Sequence, residues 1–144
     1  MPYAKINGQN IHYTDTGGNQ PALLFSHGLL MDCSMFDAQI AAFKNDYRCI
    51  AWDERGHGGT GDAMAAFSYY DSADDAVALL AHLGIKQAVF LGMSQGGFLS
   101  LRVAHAAIHQ QSVREKQRRL VATGIGVMNI LAVDLCVGHL ASFA

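Results

Sequence analysis

The residues that could do chemistry gather around one serine. Gly92-Met93-Ser94-Gln95-Gly96 reads G-x-S-x-G, directly after the apolar run Ala88 to Leu91 and directly before a segment of helical character. A strand that turns this tightly into a helix forces the serine into a strained backbone conformation, and glycines at 92 and 96 keep strand and helix from colliding. The hydroxyl is thrust outward, with the positive end of a helix beneath it. That is the setting of a nucleophile for acyl transfer. A helix N-cap serine, the plainer alternative, has no need of a glycine on either side.

Ser26-His27-Gly28-Leu29-Leu30 follows a second apolar run that ends at Phe25. There the backbone can turn and aim the N–H of Leu29 at the serine. Paired with the N–H of Gln95, it would form an oxyanion hole for a tetrahedral intermediate, in which one donor is typically worth about 2.7–4 kcal/mol. A third motif, Asp53-Glu54-Arg55-Gly56-His57-Gly58-Gly59-Thr60, leaves the strand that ends at Trp52.

These motifs, in this order and context, resemble the α/β-hydrolase superfamily, most closely its small serine esterases, cofactor-free haloperoxidases and enol-lactone hydrolases. The resemblance covers residues 1 to about 109, the N-terminal, nucleophile-bearing half of such a protein. It implies an elbow serine at Ser94, oxyanion donors at Leu29 and Gln95, and no metal or organic cofactor. It also implies that His27 and His57 brace loops and that Asp53 and Arg55 form an ion-paired loop brace. Dehalogenases and epoxide hydrolases fit less well, because their elbow carries aspartate in place of serine.

The elements needed to hold these motifs are legible. Tyr3 to Asn7 and Ile11 to Thr14 flank Asn7-Gly8, a dipeptide that favours the primed turns of a hairpin. Ala22 to Ser26, Cys49 to Trp52 and Ala88 to Leu91 are continuous apolar runs, the pattern of strands covered on both faces. Phe36, Ile40 and Phe43 predict a helix from about Ser34 to Lys44, and Val77, Leu80 and Leu83 predict one from about Asp71 to Leu83. Ser72 with Asp75 resembles a capping box for the second, and Gly84 stands where it would end. Strands alternating with helices imply an α/β fold: a truncated, doubly wound, mostly parallel sheet behind an N-terminal antiparallel hairpin.

Composition sets the outer bounds. The chain has 144 residues, 51% hydrophobic and 15% charged, enough apolar material for one folded domain. A net charge of −2 and a pI near 6.3 give no basic footprint for nucleic acid, so a small, mostly uncharged substrate is the easier partner. Cys33, Cys49 and Cys136 are odd in number and widely spaced, which suggests reduced thiols. Met1 to Lys5 carry no apolar leader, and the expectation is a cytoplasmic protein.

The character changes near residue 111, which divides a core of residues 1–111 from an atypical tail of residues 112–144. Residues 112–119 are basic and polar, and residues 120–144 hold one formally charged side chain, Asp134. A serine nucleophile needs a base, which in the resembled family comes late, beyond the elements this chain holds. His105 and His109 lie about 16 and 22 Å beyond Ser94 along one predicted helix, out of reach at 1.5 Å per residue. Asp134 and His139 keep the family order Ser, Asp, His. Their spacing puts them on opposite faces of a strand and about 140° apart on a helix, so they would meet only in irregular structure. His139 folding back, a second copy supplying the base, or a truncated or frame-shifted tail all stay open. An uncovered sheet edge leads to the expectation of a homodimer or larger assembly. The tail is long enough to span a bilayer, but Asn129, Asp134 and His139 favour a buried or intersubunit segment. The expected function is cleavage of small carboxylic esters or lactones through an acyl-Ser94 intermediate, with His139 as candidate base. The alternative is a non-catalytic fragment or interaction protein without a working base.

Overall fold

The structure, a computed structural model, describes residues 2–61, 63, 65–114 and 129–134, with the backbone alone at 105–114 and 129–134. Among the described residues, six strands form one open sheet in the order β1-β2-β4-β3-β5-β6. β1 (Tyr3–Ile6) and β2 (Gln9–Asp15) make the expected antiparallel hairpin, with Tyr3 opposite His12 and Ile6 opposite Gln9. Asn7 and Gly8 both take positive φ, 45° and 80°, as a type I′ turn requires.

The centre of the sheet is parallel. β3 (Ala22–Ser26) lies between β4 (Arg48–Trp52) and β5 (Gln87–Gly92), and side chains along it alternate between two cores. Leu24 joins Ile50, Trp52, Phe90 and Leu99 on one face, while Leu23 and Phe25 join Phe36, Cys49 and Leu91 on the other. A strand buried on both faces therefore reads as a continuous apolar run. The indole N–H of Trp52, wholly buried, donates to Ser26 Oγ at 3.0 Å.

Helices flank the sheet. A 3-10 turn over Cys33–Phe36, capped by Asp32 accepting from the Ser34 N–H, leads into α1 (Asp37–Phe43). α2 (Tyr69–His82) starts before the position expected from its periodicity. Its capping box is Ser68 with Asp71, not Ser72 with Asp75: Ser72 is buried inside the helix, and Asp75 is committed to Arg55. α3 (Gln95–Arg114) follows the elbow.

One element was not legible. β6 (Asn129–Asp134) pairs antiparallel with β5, Asn129 opposite Gly92 and Asp134 opposite Gln87. The outer edge of β5, expected to need covering in an assembly, is thus covered by the same chain. The sheet is accordingly mixed, with a parallel centre and antiparallel strands at both ends. Among the described residues no helix is long and apolar enough to cross a membrane.

Candidate active site

β5 enters the site at Gly92 and α3 leaves it at Gln95. Between them Ser94 holds φ at +52°, in the left-handed region that non-glycine residues seldom occupy. An N-cap residue sits in extended backbone, so this angle excludes the plain capping alternative. Both glycines stand where no side chain fits. A Cβ on Gly92 would lie 2.2 Å from the Gly96 carbonyl carbon, and one on Gly96 would lie 2.0 Å from the Ser26 carbonyl oxygen. The elbow is tied to the end of β3 by the Met93 N–H to Ser26 C=O, 3.2 Å, and the Gly96 N–H to His27 C=O, 3.0 Å. Ser94 itself is exposed.

The β3–α1 loop lies beside the elbow. Gly28 C=O accepts from the Met31 N–H at 3.1 Å, closing a turn in which Leu30 takes φ +60°. The backbone N–H of Glu54 donates to His27 Nε2 at 3.0 Å, which leaves the ring proton on Nδ1, and Nδ1–H donates to Gly28 C=O at 2.8 Å. Burial holds the His27 pKa below its ordinary value, against the Gly28 carbonyl that favours the charged ring. His27 is therefore a neutral strut in the loop. Neither the Leu29 nor the Gln95 N–H is taken by an internal hydrogen bond among the described residues.

The loop after β4 braces the other side, but not through an Asp53–Arg55 pair. Arg55 reaches α2 instead, with Nη2 on Asp75 Oδ1 at 2.8 Å and Nε on Asp75 Oδ2. Asp53 accepts from His12 Nδ1 at 2.7 Å, the Cys33 N–H at 2.6 Å and the Gly59 N–H at 2.7 Å. Burial alone would raise the Asp53 pKa, but these donors outweigh it and hold the carboxyl below the ordinary range. His12 on β2 was missed by sequence reasoning, since a lone histidine in a hairpin strand carries no motif.

His12, Cys33 and Asp53 are also where three potential metal-ligand atoms come together, all within 4.8 Å of one another. Burial first, then the neighbouring carboxylate, pushes the Cys33 thiol up to about 12, so at neutral pH the thiol keeps its proton. Asp53 accepts from both His12 and the Cys33 N–H, so the trio ties β2, the β3–α1 loop and the β4 loop together.

Among the described residues, no other sequence candidate hydrogen-bonds to the Ser94 side chain. His57 Nδ1 pairs with Arg55 C=O at 2.9 Å. Asp134 sits opposite Gln87, about 16 Å down the sheet from Gly92 at about 3.3 Å per residue. His139 lies outside the described residues.

An open α/β sheet with a strand–serine–helix elbow at the end of its central strands defines the class, and the comparisons agree. The family model described as "alpha/beta hydrolase fold" matches residues 21–137, and the chain belongs to that family. The match runs past residue 111 into the segment set apart by composition. The chain is 40% identical over 88 residues to 3-oxoadipate enol-lactonase 2 of Acinetobacter baylyi, covering 60% of this chain and 33% of that one. It is 35% identical over 99 residues to a non-heme haloperoxidase of Rhodococcus erythropolis, covering 67% and 36%. Among solved structures, the enol-lactonase from Burkholderia xenovorans LB400 superposes with a TM-score of 0.69 at 34% identity, over 72% of this chain and 41% of that one. An epoxide hydrolase from Vigna radiata superposes at 0.67 with 26% identity, over 72% and 34%. The chain thus spans about a third of the length of the curated relatives it matches.

Proposed function

We propose that the chain carries the nucleophile and oxyanion hole of a serine hydrolase that cleaves small carboxylic esters or lactones. The observation that carries this reading is Ser94, exposed at φ +52° between two glycines that admit no Cβ. Ser94 Oγ attacks the substrate carbonyl carbon and passes its proton to a base. The oxyanion accepts hydrogen bonds from the Leu29 and Gln95 N–H groups, at the N-terminus of α3. Collapse expels the alcohol, which takes up the proton, and water then hydrolyses the acyl-Ser94 ester. Relatives named enol-lactonase, and one named esterase/perhydrolase, support the ester and lactone class.

The base is the open part of this reading. β6 carries the chain away from the elbow, which counts against His139 folding back as that base. The same observation favours a second reading, a non-catalytic fragment that keeps the elbow without a working base. A fluorophosphonate probe with hydrolysis of a short p-nitrophenyl ester separates the two. The first reading expects labelling at Ser94 and turnover that Ser94→Ala abolishes, about 10⁴-fold or more for loss of a nucleophile. Turnover retained in Ser94→Ala sinks the nucleophile assignment, and absence of labelling in every assembly state favours the second reading.

A further inference from the structure

Glu54 is wholly buried, and its side chain takes no part in the loop braces of Asp53 and Arg55. Its Oε2 accepts from Gln95 Nε2 at 2.9 Å, across a sequence separation of 41 residues, while Oε1 has no hydrogen-bond partner among the described residues. Its backbone N–H holds His27, and His27 in turn holds the Gly28 carbonyl. One residue therefore touches the supports of both candidate oxyanion donors. Through the side chain it reaches Gln95, whose own N–H is one donor. Through the main chain it reaches the Gly28–Leu29 peptide, whose N–H is the other. Because that peptide is trans, pinning its C=O toward His27 and Met31 sends the Leu29 N–H the opposite way.

We infer that Glu54 is a positioning residue for both oxyanion donors, its carboxylate anchoring the Gln95 side chain under the elbow and its main-chain N–H anchoring the His27 ring under the β3–α1 loop. This rests on the hydrolase reading above for its purpose, though not for its geometry. A carboxylate that served the fold alone would be a poor choice at this place, since burial opposes its charge and one oxygen stays unpaired. An acceptor that must meet Gln95 Nε2 from the β4 loop explains why a polar group is kept there.

The test uses the full chain, labelled with ¹⁵N, and three variants. Glu54→Gln keeps an acceptor oxygen for Gln95, Glu54→Leu removes it, and Glu54→Leu with Gln95→Met makes both sides apolar while leaving the Gln95 backbone N–H in place. The expected result is that the Gln95 amide resonance shifts and exchanges faster with solvent in Glu54→Leu and stays near wild type in Glu54→Gln, while the Leu29 amide, held through the Glu54 main-chain N–H that every variant keeps, moves less. In ester hydrolysis the leucine variant loses about 10²-fold in kcat at little-changed KM, the scale of a small misplacement of catalytic groups. Should Glu54→Leu fail to fold, the double variant takes its place, because replacing both partners by apolar groups avoids an unpaired polar atom. A Gln95 amide that stays in place in Glu54→Leu or in the double variant overturns the proposal whether or not the wild type turns over ester. Loss of labelling at Ser94 with the amide pattern as expected would instead strike the hydrolase reading alone.

Discussion

At the scale of single residues, the buried ionisable groups divide by whether their charge is supported. Asp53 has several donors aimed at it and Asp15 has Arg48, so each carboxyl titrates below its ordinary value of 3.8 despite its burial. Their contribution to stability is present above that value and is lost as pH falls through the lower native one. Glu54 is the opposite case. Burial raises its pKa above 4.5, and the Gln95 hydrogen bond and the nearby His57 only partly offset this. The folded protein then holds the Glu54 proton more tightly than the unfolded chain does. The stability this gives is full below 4.5 and is lost as pH rises through the native value, above which burial of the charge opposes folding. Glu54→Gln, which carries no charge, should therefore melt higher than wild type at pH 7. The difference should shrink toward pH 4, as followed by circular dichroism across that range. A difference that does not depend on pH would show that the charge is not what burial penalises.

At the scale of elements, the crossing of β5, α3 and the end of β3 leaves the least room for change. Ordinary overpacking costs about 1–3 kcal/mol because side chains can shift. At Gly96 the obstacle is the Ser26 and His27 backbone itself, with atoms 2.0–2.6 Å from an added Cβ. Gly96→Val should exceed that range and appear as lost soluble yield and a collapsed melting transition; wild-type behaviour would count against so tight an elbow. The elbow was legible because its requirement is local: glycines on both sides of a serine, between an apolar strand and a helix. The hairpin and the central strands were legible for the same reason. What the sequence misplaced depends on partners distant in the chain. Asp75 resembled a cap for α2, but Arg55 from the β4 loop claims it, and Ser68 with Asp71 caps the helix instead. Asp53 looked like a partner for its near neighbour Arg55, but His12, 41 residues away, pairs with it. β6 was not seen because Asn129 to Asp134 is a short stretch of a long apolar segment, where periodicity alone cannot tell strand from helix.

At the scale of the whole molecule, two surfaces govern association. One is the outer edge of β5, whose six residues are all paired by β6 within the chain, so that β6 is the terminal strand among the described residues. The other surrounds the elbow, where Leu29 is 63% exposed, Leu30 90% and Phe98 63%, an apolar rim next to Ser94. Apolar surface gathered in one place is a common mark of an interaction site, and here it flanks Ser94. The intact chain should therefore elute as a dimer or larger, measured by size exclusion with light scattering. Deleting residues 120–144 removes β6 and uncovers the backbone N–H and C=O groups of β5, an edge that invites pairing with other chains. The expected outcome is insoluble protein. A fragment of residues 1–119 that stays soluble, monomeric and cooperatively folded would show that β6 is dispensable to the sheet. An intact chain that is monomeric yet labels at Ser94 would show that no second copy is needed to activate the serine.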